Sequence, residues 1–170
     1  MKKLLLSLLF SLFAVAALSS DSALTVGVNL TDVPASCSFG FTEMKSVPIN
    51  GVIPEADNLS LDFDTTSSVA TGNINMYYRI INSDDMNFWI EGSSLKSNNN
   101  KTLEYTMSFS GSNGESVDVV SGSEGVVIYR YEPTAFIKSG IIPLHFITSD
   151  ATDYIAGEYA GEIKLTVEGL

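Results

Sequence analysis

The residues best equipped for chemistry are few and scattered. The sequence carries one histidine, His145, and one cysteine, Cys37. A Cys37–His145 dyad would need both side chains to converge on one substrate atom, and nothing in Ser36-Cys37-Ser38 or Pro143-Leu144-His145-Phe146 favours that. His145 lies opposite in phase to Leu144 and Phe146, so an extended backbone sends it to the surface or the rim. A serine nucleophile would have to be singled out from many, and the glycine-flanked elbow of the hydrolases is absent. Cys37, beside Phe39 and Phe41, is expected to be a buried, inert thiol. No catalytic residue is assigned, and the chain is expected not to be an enzyme.

Metals and cofactors fare no better. Asp62 with Asp64, or Asp84 with Asp85, could offer oxygens to calcium, but neither segment has the ligand spacing of a calcium loop. Solvated acidic turns are the expectation there. A transition-metal site needs clustered His or Cys, which the sequence lacks. No cofactor is assigned. Trp89, Tyr77, Tyr78, Tyr105, Tyr129 and Tyr131 could line a sugar-binding face, yet most fall in alternating apolar runs, where core packing is the stronger expectation.

The N-terminus has the plan of a secretory signal: Met1-Lys2-Lys3, an apolar run from Leu4 to Leu18, then small and polar residues. The run is too short to span a bilayer comfortably. Residues 1–19 are therefore expected to be removed, with cleavage after Ala16 or after Ser19 equally compatible, and no later segment could span as a helix. Loss of Lys2 and Lys3 leaves seven basic residues against 20 acidic ones, a formal net charge of −13. Nucleic acid and anionic membrane surfaces are excluded as partners, because both demand clustered Lys and Arg. About 150 mature residues suit one domain. A lone cysteine forbids an intramolecular disulfide, so an exported chain must rely on its core or on assembly.

From Leu24 the pattern is period two almost throughout. Leu24, Val26, Val28 and Leu30 alternate with Thr25, Gly27 and Asn29, and Cys37, Phe39 and Phe41 repeat the alternation. Leu59, Leu61 and Phe63 predict a strand with Asp62 and Asp64 outward. In residues 73–82, Ile74, Met76, Tyr78 and Ile80 share one face. Asn82-Ser83-Asp84-Asp85 is turn chemistry, and Phe88-Trp89-Ile90 predicts a central strand apolar on both faces. Residues 93–101 predict a loop. Leu103 to Phe109, Val117 to Val119, Val126 to Tyr131 and Ile141 to Ile147 predict further strands, with a helical turn or two at most, near Thr134 to Lys138. The chain closes on AGEYAGEIKLTVEGL, where Tyr159, Gly161, Ile163, Leu165 and Val167 alternate with mostly charged residues. Nine or ten short strands with frequent turns predict an all-β, antiparallel, immunoglobulin-like sandwich without a domain boundary.

The closing residues Ala156-Gly157, Tyr159, Gly161, Leu165 and Gly169 resemble the end motif of major subunits of alpha, or colonization-factor, chaperone-usher fimbriae. Leu59 to Phe63, Tyr78-Arg79-Ile80 and the Asn82 to Asp85 turn are similar to early strands of those pilins, and Leu24 to Leu30 occupies the place of their donor strand. The run from Ile142 to Phe146 is also pilin-like. Two departures stand against this: residues 31–43 are unusually aromatic for that position, and a penultimate aromatic found in another pilin class is absent.

The resemblance implies an incomplete sandwich (residues 31–170) preceded by an N-terminal extension (residues 20–30), whose missing strand comes first from a periplasmic chaperone and then from the next subunit. The donor would be Leu24, Val26, Val28 and Leu30, and the acceptor groove edge Tyr159, Gly161, Ile163, Leu165 and Val167. Burial of four such donor side chains is worth on the order of 6 to 12 kcal/mol as an upper bound. The implied function is a structural subunit of a surface fimbria with a contribution to adhesion. Its partners are identical or related subunits, the chaperone and an outer-membrane usher, and its route runs through the periplasm to the cell surface. The alternative is a self-complete secreted binding module for carbohydrate or a surface protein, in which Leu24 to Leu30 pairs within its own chain.

Overall fold

The computed structural model describes residues 35–111 and 114–169, which fall in one compact unit. The expected signal peptide and the expected donor residues Leu24, Val26, Val28 and Leu30 lie outside the described residues. Within them the chain is all-β. The strands are β1 (Ser36–Thr42), β2 (Asp62–Asp64), β3 (Val69–Ile81), β4 (Met86–Gly92), β5 (Leu95–Ser97), β6 (Thr102–Leu103), β7 (Tyr105–Ser110), β8 (Ser116–Val120), β9 (Val126–Tyr131), β10 (Ile137–Thr148), β11 (Tyr159–Ala160) and β12 (Ile163–Gly169).

Every ladder is antiparallel. One sheet runs β1-β3-β10-β7-β8, with β2 also on β3; a second runs β12-β4-β9; a small third runs β11-β5-β6. The first two sheets pack face to face as a β-sandwich. Ile74, Met76, Tyr78 and Ile80 of β3, Met107 and Phe109 of β7, and Leu144 and Phe146 of β10 meet Phe88 and Ile90 of β4 and Ile128 and Tyr131 of β9 in one buried cluster. Strand alternation selects these residues, since side chains two apart share a face. The orders β1-β3-β10-β7 and β12-β4 correspond to the A-B-E-D and F-C arrangement of a constant-type immunoglobulin sandwich.

The Asn82 turn forms as its chemistry predicts. Asn82 takes a left-handed φ of 44°, which short polar side chains tolerate, and its N–H donates to the Phe136 carbonyl at 2.9 Å. β4 is the middle strand of its sheet, as its apolar run predicts. Trp89 stands opposite in phase to the buried Phe88 and Ile90 and is only half-buried.

Four local expectations give way to tertiary pairing. No helical turn forms at Thr134 to Lys138, because β10 starts at Ile137 to pair with Ile81 at the end of β3. The expected loop at residues 93–101 contains β5, which β6 and β11 flank. The expected Leu59 to Phe63 strand shrinks to Asp62–Asp64. Leu59 and Leu61 pack on the core without a ladder, close against Gly72, while Phe63 is 56% exposed. The expected terminal strand divides in two, Tyr159–Ala160 joining β5 and Ile163–Gly169 joining β4. Pro143, inside β10, is accommodated because the ladder to β7 runs over His145–Thr148, beyond it.

Between β1 and β2 the chain drapes over the outward side of β3 and is stitched to it at every second residue. Asn75 donates to the Met44 carbonyl at 2.8 Å, Tyr77 to Glu55 at 2.8 Å, and the Arg79 guanidinium to both the Pro48 and Gly51 carbonyls. Burial, then the Glu55 contact, pushes the Tyr77 phenol up to about 12. At the tip of this strap Ile49 and Val52 are 94% and 91% exposed, so they project away from the core.

Candidate functional site: an open sheet edge

β12 takes its hydrogen bonds from β4 on one side, from Ile163↔Gly92 to Gly169↔Met86. Along its other side no strand pairs with it among the described residues. An unpaired edge presents a row of free N–H and C=O groups to any incoming extended chain. Ile163, Leu165 and Val167 point toward the core and reach it, yet each stays half-buried. Lys164, on the opposite face, pairs with Glu91 at 3.0 Å in an exposed contact.

The facing edge of the first sheet is β1, likewise without a ladder on its outer side among the described residues. Its inward residues Cys37 and Phe39 are half-buried and packed on the core. Phe88 ties the two edges together: its cross-strand neighbour is Val167, and its ring meets Phe39 edge-on at 6.0 Å. Phe41 continues the row, and its carbonyl accepts the Ala56 N–H at 2.9 Å. Ala56, Leu59 and Leu61 then add three half-buried apolar side chains from the strap. The sequence shows the alternation of Leu59 and Leu61, but no signal in it separates a filler segment from a ladder strand.

The other side of the sandwich is closed by the chain itself. β8 leads into β9 through residues 121–125, passing from the first sheet to the second. Ser121 accepts the Tyr105 N–H at 2.9 Å and donates to Glu104 at 2.6 Å, Ser94 donates to the same carboxylate, and Gly122 donates to the Gly92 carbonyl at 2.7 Å. Gly92 has no room for a side chain, because the Tyr105 hydroxyl lies over it. Burial, with the Glu104 carboxylate second, pushes the Tyr105 phenol up to about 12, so it stays protonated at neutral pH. No local pattern announces Glu104, Ser94 and Ser121 as one knot, since they meet only through the fold.

Tyr159 and Gly161, expected on the acceptor edge with Ile163, Leu165 and Val167, stand apart from them. Tyr159 pairs with Ser97 on β5, donates its hydroxyl to the Ile155 carbonyl at 3.0 Å, and meets Tyr154 edge-on. Gly161 is needed for close approach, but the backbone it admits belongs to its own chain: a Cβ there would lie 3.0 Å from the Ser93 carbonyl oxygen and 3.0 Å from Leu95.

The chemically equipped residues remain scattered. Cys37 pairs with Ile80 and His145 with Asn73, positions about 23 Å apart along β3 at roughly 3.3 Å per residue. That separation removes the dyad. His145 is exposed and bonds Asn73 at 2.8 Å, as its phase predicts. Burial pushes the half-buried Cys37 thiol up, away from the reactive thiolate. Asp64 accepts from the Thr66 N–H and the Ser67 hydroxyl, which hold its carboxyl below the usual range. Among the described residues no group of three or more His, Cys, Asp or Glu could hold a metal ion. Tyr77, Tyr78, Tyr105 and Tyr131 are buried, and Tyr78 stacks on the half-buried Tyr129 at 4.4 Å, so packing and not sugar binding occupies these rings.

No protein-family model matches the chain, and no curated protein matches it. Among solved structures it is similar to the CupB6 tip adhesin from Pseudomonas aeruginosa, at 12% identity and a TM-score of 0.37, over 78% of this chain and 42% of that one. The chain thus spans less than half the length of that adhesin. The fold itself is an antiparallel β-sandwich in which, among the described residues, β12 has a ladder partner on one side alone.

Proposed function

We propose that this chain is a structural subunit of a surface fimbria, exported through the periplasm and polymerised by donor-strand exchange. The observation that supports the reading is the edge of β12 that has no ladder partner among the described residues, beside two rows of half-buried apolar side chains, Ile163, Leu165 and Val167 on one sheet and Cys37, Phe39 and Phe41 on the other. A strand laid along β12 would satisfy its backbone groups and cover both rows at once. In this reading Leu24, Val26, Val28 and Leu30 of residues 20–30 supply that strand to the next subunit, and residues 31–170 form the domain that receives it. The contact is heterologous and does not close on itself, so it builds a fibre. A chaperone and an usher handle the unfilled domain before assembly.

Deletion of residues 20–30 tests this directly. The expected outcome is a chain that keeps its sandwich when co-expressed with its chaperone, no longer polymerises, and gains thermal stability on addition of a peptide of residues 20–31. Loss of the fold in the deleted chain despite chaperone, with no response to peptide, would instead establish a self-complete module. Ala56, Leu59 and Leu61 favour that second reading, because they show the chain covering part of its own edge. Such a module would be a secreted binding domain for carbohydrate or a surface protein, monomeric when expressed alone.

A further inference from the structure

Two loops meet beside the small sheet and enclose a recess of about 120 Å³. One wall is the β5–β6 hairpin, with Ser97, Asn98 and Asn99; the other is the segment leading into β11, with Ile155, Glu158 and Tyr159. The hairpin is held by its own backbone: Ser97 donates to the Lys101 carbonyl at 2.9 Å, Asn100 to the Ser97 carbonyl at 3.0 Å, and Lys101 to the Ser97 hydroxyl at 3.1 Å. Asn100 completes the turn at φ 55°. The opposite wall is fixed where Tyr159 pairs with Ser97 and bonds Ile155.

These bonds settle the backbones and leave the side chains available. Asn98, Asn99 and Glu158 are exposed, and among the described residues none of their side chains is taken up by a hydrogen bond or ion pair. Each asparagine offers both a donor and an acceptor, and Glu158 offers acceptors alone. Tyr159 contributes an aromatic ring that the Tyr154 contact holds in place. An anion is opposed by Glu158 and by the chain's excess of acidic residues, 20 against nine basic ones. A hard cation is held by several oxygen ligands with affinity set by their charge, and the recess provides one carboxylate beside neutral amide oxygens. A neutral polyhydroxylated ring satisfies the whole set, since each hydroxyl donates and accepts while the C–H face packs on an aromatic.

We infer that the recess between Asn98, Asn99 and the Ile155–Tyr159 segment is a binding subsite for one neutral saccharide residue. Asn98, Asn99 and Glu158 pair with ring hydroxyls, and Tyr159 backs the C–H face. The subsite stands on the loops that follow β5 and precede β11, not on the β4–β12 ladder itself, and its use does not depend on whether subunits polymerise.

Saturation-transfer difference NMR on the mature chain tests it, with methyl glycosides of galactose, glucose, mannose and N-acetylglucosamine as probes. At least one glycoside is expected to show transfer to its ring C–H protons, with the millimolar Kd of a shallow single-sugar site. The N98A/N99A double variant should weaken it by about tenfold or more, the loss of two hydrogen-bonding side chains. E158Q, at an exposed position that leaves the fold intact, should weaken it by about threefold or more through loss of one charge-assisted bond. Absence of transfer from all four glycosides at about 50 mM, well above such a Kd, would overturn the inference. So would transfer that survives both variants unchanged, or a response at this site to lysine methyl ester in place of any glycoside.

Discussion

The two sides of this sandwich are finished differently. On the β8/β9 side the chain crosses from sheet to sheet, and the Glu104–Ser121–Ser94 knot fastens the crossing, with Val119 and Ile128 buried behind it. On the β1/β12 side no described segment makes such a crossing, and the inward residues of both edge strands stay half-buried. The same alternation of apolar and polar residues runs along both sides. What distinguishes them is connectivity: a covalent crossing closes one side, while on the other the outer backbone groups of β1 and β12 have no ladder partner among the described residues.

That contrast can be broken or sharpened by mutation. The largest effect belongs to the shared core: Phe146→Ala should cost about 3 to 5 kcal/mol by urea unfolding, because a fully buried ring leaves a cavity. On the closed side, Ser121→Ala strands the buried Tyr105 N–H and removes a partner of Glu104, for about 1 to 3 kcal/mol. On the open side, Leu165→Ala should cost the isolated chain only about 1 kcal/mol, since Leu165 is half-covered to begin with. If Leu165→Ala costs as much as Phe146→Ala, the edge is covered by the chain's own residues and the contrast fails. Smallest of all, Lys164→Ala should change stability by about 0.5 kcal/mol or less, an effect that salt removes, because both partners of its ion pair are exposed.

Much of the sandwich was legible in the sequence. Ile74 to Ile80 and Val126 to Tyr131 fall in strands as predicted, because an inward-outward alternation matches how a two-layer fold buries side chains, whereas the expected Leu103 to Phe109 strand breaks at Glu104, with Leu103 in the small sheet and Tyr105 to Phe109 in the first. Boundaries were less legible, since a ladder partner far along the chain decides where a strand stops. β10 starts at Ile137 because Ile81 is there to receive it, and AGEYAGEIKLTVEGL divides because Ser97 and Gly92 belong to different sheets. At the candidate edge, Ile163, Leu165 and Val167 could be picked out by phase. The separate placement of Tyr159 and Gly161 could not, because period-two alternation carries no mark of a change of partner.

The Arg79 clamp has a practical consequence. Its guanidinium grips the carbonyls of Pro48 and Gly51, one on each flank of Ile49 and Asn50, so the strap is anchored on both sides of its outermost point. A foreign epitope spliced between Ile49 and Asn50 would therefore be carried outward on fixed stems, sparing both the β12 margin and the loops around Asn98. If subunits join into a filament, that position would repeat the graft along its length, turning one insertion into a dense multivalent display.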